Sequence, residues 1–126
     1  MLVVACVAVH PAAAQDRKLA NDLKQIGLAY HNYNDATNKA PSKAEDLGPY
    51  LEMNKRLIDM LKNGDVVFIW DVPLKQIVNM GAGTSNTVLA YEKDAPTKGG
   101  YVLMADASVK KLAADEFKKA TLAKKQ

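Results

Sequence analysis

From Asp16 onward the hydrophobic positions recur with helical spacing. Leu19, Leu23, Ile26, Tyr30, Tyr33 and Thr37 step by three or four residues, drawing one apolar stripe along a single long helix. Lys18, Asp22, Lys24, Gln25, Asn32 and Asp35 fall on the other side. Gly27 sits mid-helix, where glycine costs roughly 1 kcal/mol against alanine, so it reads as a place where a neighbouring backbone comes close. Residues 38–41 end the helix. A second helical region follows over 41–65. Ser42 and Glu45 have the spacing of a capping box. Gly48-Pro49 interrupts, and Pro49 can open a fresh helix whose apolar positions are Leu51, Leu57, Ile58 and Leu61. Asn63-Gly64 closes it.

Beyond Gly64 the period changes to two. Residues 66–70, VVFIW, read as a strand, and 74–78, LKQIV, as another, with Asp71-Val72-Pro73 turning between them. Residues 87–93, 100–106 and 108–112 read as three more strands in sequence, which pair antiparallel when connections are this short. The remainder, AADEFKKATLAKKQ, reads as a short helix with Asp115 and Glu116 at its start and lysines at its finish, an order that complements the helix dipole. The expected fold class is α+β: a long N-terminal helix laid on a small antiparallel β-sheet, a helical insert and a short C-terminal helix.

Composition and charge narrow this little. A chain of 126 residues holds one modest core. Its net charge of +3 is unevenly spread: residues 110–126 carry six lysines against Asp115 and Glu116, a balance of +4 that leaves −1 for the rest. With no arginine-glycine tract and no aromatic-basic interleaving, that end reads as a solvated lysine face, and nucleic acid is not an expected partner. The N-terminus differs. MLVVACVAVHPAAAQD has no charge before Asp16, a greasy run to Val9, a breaker at Pro11 and small residues at Ala12 and Ala14. This is the shape of an export signal, without the usual positive start, and cleavage after Ala14 would leave residues 15–126 as one domain. The run is short of the roughly 20 residues that span a bilayer. Cys6 is the only cysteine, so no intramolecular disulfide forms. VVAC loosely resembles a lipobox, so a membrane association is expected only where residues 1–14 are retained or Cys6 is lipidated.

NDLKQIGLAYHNYND, residues 21–35, closely resembles the NNLKQIGLALHNYHD signature of a large bacterial family of exported, type IV pilin-like proteins of unknown function, related to pseudopilins and to the G protein of type II secretion. That family's second mark is a C-terminal strand-turn-strand reading like FADGHVEFL, followed by a short helix with an acidic start. LMADASVKKLAADEF, residues 103–117, has the same layout. The resemblance covers about 30 residues at the two ends and leaves 40–86 unassigned. It implies a pilin-like domain with the first motif on the C-terminal half of a long helix. The chain departs from the pattern at three points: it lacks the prepilin signature, it carries Ala107-Ser108 where the family has glycine-histidine, and its central insert is short.

Candidate chemistry is sparse. Tyr30 and Tyr33 belong to the apolar stripe, whereas His31, Asn32 and Asn34 point away from it. A catalytic His31 would need a nucleophile or an orienting carboxylate within hydrogen-bond reach, and the only other histidine, His10, lies in the export segment. Asp94 and Asp106 flank one hairpin and Asp65 and Asp71 bracket a strand, but no loop gathers the six to eight oxygens that calcium takes. GAGTSN, residues 81–86, runs into a strand and not a helix N-terminus, so its glycines read as turn residues and not a phosphate cradle. Trp70 reads as core or core-edge packing; exposed beside Tyr50 and Tyr91 it would mark a contact surface. No catalytic, cofactor-binding or metal residue is assigned. The expected function is non-enzymatic: protein–protein contact at the cell envelope, outside the cytoplasm. An extracytoplasmic module binding a peptide, glycan or small ligand is the first alternative, and an enzyme using His31 the second.

Overall fold

The computed structural model describes the backbone of residues 2–124 and the side chains of residues 17–124. Along the chain come α1 (Leu2–Thr37), α2 (Ala44–Leu47), a 3-10 turn (Gly48–Leu51), α3 (Lys55–Asn63), β1 (Val66–Phe68), α4 (Leu74–Val78), a second 3-10 turn (Thr84–Asn86), β2 (Thr87–Glu92), α5 (Ala95–Lys98), β3 (Gly100–Met104), β4 (Val109–Leu112), α6 (Ala114–Lys119) and β5 (Thr121–Leu122). The class is α+β, with a long N-terminal helix and a five-stranded sheet. Strands β1 to β4 pair antiparallel in chain order. The short β5 lies parallel to β2, opposite Thr87 and Val88, where β1 has already stopped.

The helical stripe is where the spacing put it. Leu23, Ile26, Ala29 and Tyr30 are fully buried, and Tyr33 packs against the same cluster. Fully burying a large apolar side chain stabilises by about 1.5–3 kcal/mol, so these few residues suffice to seat the helix on the sheet. They meet Phe68, Leu89, Ala90 and Leu103 from the sheet and Leu47, Leu51, Leu57 and Leu61 from the insert. Gly27 supplies the close approach its position suggested: a Cβ there would stand 2.8 Å from Leu103 Cδ1 and 3.0 Å from the Ala107 Cα, at the corner between β3 and β4. The helix ends at Thr37, and Asn38 takes a left-handed φ of 58°.

A single helix on one face is not the whole arrangement. The opposite face of the sheet has its own core of Val88, Ala95, Val102, Met104 and Phe117, with Tyr91 edge-on to Phe117 at 4.8 Å between centroids. Short α5 and α6 cover it. Strand β2 serves both faces through a register shift between Val88 and Ala90. Leu89 and Ala90, adjacent in sequence, both belong to the α1-side core, the break in alternation that a bulge produces.

Four local expectations need correction. Residues 74–78 form α4, not a strand: Leu74 and Ile77 stand three apart, Ile77 is fully buried, and the Leu74 amide is capped from α1. The 66–70 strand stops at Phe68, and Asp71 has a left-handed φ of 66°. Ser42 and Glu45 form no capping box. The Ser42 amide donates to Asp46 Oδ2 at 2.9 Å, its hydroxyl donates to the Asp71 carboxylate, Lys43 stands at the α2 cap, and Glu45 pairs with Lys62 at 3.3 Å. The helix begun at Pro49 breaks after one turn, because Glu52 and Met53 both turn left-handed (φ 55° and 56°). Asn54 then caps α3 with its side chain, accepting from the Arg56 and Leu57 amides. Gly64 closes α3 in the left-handed conformation, as expected.

The backbone of α1 includes Pro11, where a break was expected. The side chains of the export-like segment 1–14, Cys6 and His10 included, lie outside the described residues.

Candidate functional site

Residues 30–34 do not act as one cluster; each side chain is committed to a different neighbour. Tyr30 is fully buried and its hydroxyl donates to the Val72 carbonyl at 2.6 Å. Burial pushes this phenol far above its ordinary pKa. His31 is partly buried, with Nε2 2.6 Å from the Ala105 carbonyl oxygen. A carbonyl only accepts, so Nε2 carries the proton. Asn34 bridges two elements: Nδ2 donates to the Tyr30 carbonyl at 2.8 Å, and Oδ1 accepts from the Leu74 amide at 3.0 Å. It thereby supplies to α4 the cap that Pro73 has no side-chain oxygen to give.

The other candidates are also dispersed. Trp70 is half-buried and lies over Phe68, centroids 4.3 Å apart. Tyr50 meets Tyr33 edge-on at 5.7 Å, and Tyr91 belongs to the opposite face of the sheet. The three aromatics therefore share no concave surface. Asp106 is turned onto its own loop, accepting from the Ser108 amide at 2.9 Å and the Ser108 hydroxyl at 2.6 Å. Partial burial works against the charge, but these donors outweigh it and hold the carboxyl below its ordinary pKa. Among the described residues no group of three or more His, Cys, Asp or Glu side chains could hold a metal. In 81–86, Gly81 and Gly83 take φ of 91° and 85° before the turn into β2, which only glycine adopts readily.

Asp22, like His31 and Asn34, was expected to point away from the packed stripe and is instead drawn onto a neighbouring element. Asp22, assigned to the solvent side, is only 7% exposed. Its two carboxylate oxygens accept from Arg56 Nη1 at 2.6 Å and Nη2 at 2.9 Å, tying α3 to α1. The spacing places Asp22 at the flank of the apolar stripe, four before Ile26, but gives no sign of the arginine that draws it inward.

One of several surface clefts lies where α1 ends. A cleft of about 290 Å³ is lined by Asn34, Asp35, Asn38, Pro73, Leu74, Lys75 and Val78. One wall is the last turn of α1 and the other is α4. Val78 is 58% exposed, an apolar side chain left to solvent. The sequence pattern missed this cleft because it exists only once 74–78 is a helix.

No family model, curated protein or solved structure matches the chain. Among the described residues no helix is long and apolar enough to cross a membrane.

Proposed function

We propose that the chain is an exported, pilin-like, pseudopilin-like domain that works without catalysis, through protein–protein contacts at the cell envelope. The observation that carries this reading is the meeting of its two family-like segments. Gly27 of the first lies against Leu103 and Ala107 of the second, and His31 is bonded to Ala105, 74 residues away. The glycine and the histidine of the first segment thus have one joint purpose, which is to seat the long helix on the β3–β4 corner. Ala107 itself has a φ of 74°, a conformation that favours glycine, and glycine is what the resembled family has there. Ser108, in place of that family's histidine, spends its hydroxyl on Asp106.

The non-catalytic part is supported by where the reactive groups go. His31 is held by a backbone carbonyl, and none of its described bonds is to a carboxylate. Function resides in sites grafted on folds, so export and partner contact need a direct test. Mass spectrometry of the protein purified from its native cells supplies it. A mature start at Gln15 supports a free exported domain, and an acylated Cys6 supports an anchored one. An intact Met1 on a cytoplasmic protein overturns the reading.

A further inference from the structure

We infer that Asn63, the last residue of α3, is a site of self-modification, at which the side-chain amide is lost and aspartate or isoaspartate is left in its place. This goes beyond the contact reading and does not depend on it. Asn63 is the one asparagine in the chain that a glycine follows, and glycine puts no side chain in the way of its own backbone nitrogen. In the first step the deprotonated Gly64 nitrogen attacks the Asn63 side-chain carbonyl carbon. The new N–C bond closes a succinimide ring, and the side-chain nitrogen leaves as ammonia, taking its proton from solvent. Water then opens the ring. Breaking the new N–Cγ bond gives aspartate; breaking the original peptide C–N bond gives isoaspartate, with the backbone rerouted through the side chain. Neither step needs an oxidant or a cofactor.

The fold leaves this position open where it occupies others. Among the described residues the Gly64 amide has no hydrogen-bond partner, whereas the amides that cap α2, α4 and α6 each have one. At Asn38 the attacking amide, that of Lys39, donates to Thr37 Oγ1 at 3.2 Å, and at Asn79 that of Met80 donates to the Ile77 carbonyl at 3.1 Å. Asn34 and Asn86 commit their side-chain amides to the Tyr30 and Ala82 carbonyls. Asn63 is exposed, and nothing lies within 4 Å of where a Gly64 Cβ would stand. A helical backbone at Asn63 holds the attacking nitrogen away from the side-chain carbonyl, so reaction waits on unwinding of the last turn. That opening pulls no buried side chain from the core at either residue, and helix ends are where it costs least. The product carboxylate stands four residues after Asp59 and at the negative end of the α3 dipole, both unfavourable places for it. Lys62, the basic residue of that turn, is already paired with Glu45.

The test is peptide mapping by mass spectrometry of the folded, full-length protein aged in 18O-labelled water. Asn63 should convert before every other asparagine, carry 18O into its new carboxyl group and yield aspartate and isoaspartate together. Asn63→Gln keeps an exposed amide but would have to close a larger, slower ring, so the acidic species should be missing from that variant. Chains separated by charge after ageing should show a folded-to-unfolded ratio about threefold lower than fresh chains in urea unfolding, the range of one like-charge neighbour and one helix-end charge. Asn63→Asp should reproduce that loss without ageing. Another asparagine converting first, an acidic species persisting in Asn63→Gln, or Asn63 reacting only after the chain is unfolded in urea overturns the site. An unchanged unfolding midpoint in Asn63→Asp overturns its assigned consequence for α3.

Discussion

Gly27→Ala sets two effects of opposite sign against each other. Alanine is the better helix former by about 1 kcal/mol, so on propensity alone the substitution stabilises. Packing says the reverse. The new Cβ would lie 2.8 Å from Leu103 Cδ1 and 3.0 Å from both the Cα and Cβ of Ala107. Leu103 is fully buried and so cannot swing into open space, and the Ala107 Cα is backbone. Relief therefore requires the helix to lift from the β3–β4 corner, and forcing an extra carbon into a filled core costs about 1–3 kcal/mol. The helix must also be lifted where Ile26 and Tyr30 are anchored, which places the cost in the upper part of that range. The expected net loss is about 1–2 kcal/mol, or a fall in Tm of several degrees for a chain of this size. Urea unfolding followed by far-UV circular dichroism measures it. Gln25→Gly compared with Gln25→Ala, at an exposed position in the interior of the same helix, isolates propensity and should differ by about 1 kcal/mol. Ala107→Gly should recover part of the loss when combined with Gly27→Ala, since it removes the opposing Cβ and suits a φ of 74°. If Gly27→Ala instead gains the amount that separates Gln25→Gly from Gln25→Ala, the helix–corner contact does not set the spacing and the packing argument fails.

Three further substitutions test other joints. Asp22→Asn weakens the two-pronged contact with Arg56; because Arg56 is half exposed the cost is moderate, about 1–2 kcal/mol by urea unfolding, and an unchanged midpoint would mean the pair contributes nothing to holding α3 on α1. His31→Ala removes the bond to the Ala105 carbonyl and should cost about 1 kcal/mol, with faster amide exchange at the β3–β4 corner as its local signature; unaltered exchange there would contradict the seating role. Ser108 holds the Asp106 carboxyl below its ordinary pKa, and a depressed folded value gives stability that is present above the unfolded pKa and lost as pH falls through the folded one. Ser108→Ala should therefore raise the Asp106 midpoint in an NMR titration and flatten the acid limb of the stability curve, and an unmoved midpoint would show that the hydroxyl is not the donor that matters.

What the sequence disclosed follows from how far each signal reaches along the chain. The α1 stripe is written in local spacing over many residues, so Leu23, Ile26 and Tyr30 were identifiable as core, and Gly27 as a contact point. Strands β2, β3 and β4 alternate strongly enough to be found, although their ends were set too long. Residues 74–78 were misread because five residues satisfy either period. The choice was made by Asn34, 40 residues earlier, whose side chain caps the Leu74 amide. Asp22 was misplaced for a similar reason, since nothing near it announces Arg56, 34 positions on. The two-residue β5 could not be told from a helix end, because its only definition is its pairing to Thr87 and Val88. In each case the missing information was tertiary: a polar side chain reaching across the fold for α4 and Asp22, and backbone pairing for β5.

Those same long-range bonds fix the cleft. Residues 72–78 lie against α1 because Tyr30 donates to the Val72 carbonyl and Asn34 accepts from the Leu74 amide. The segment is pinned a second time where the Asp71 amide donates to the Pro41 carbonyl at 2.9 Å. Tyr30 is buried at the centre of the core, so its bond is shielded from water and is strengthened by the low local dielectric. Both walls of the cleft are thus positioned by residues that the fold needs anyway, and neither wall depends on an occupant. Because both walls are already ordered, no loop would have to be fixed before a contact formed there, an entropic cost that weakens flexible sites. The segment at 21–35 then does two jobs at once: its Gly27 and His31 seat the helix on the sheet, while Tyr30 and Asn34 hold α4 in place beside Asp35. Substituting Asn34 should accordingly disturb the cleft more than it disturbs the core, because the α4 cap is lost while the Tyr30 anchor remains.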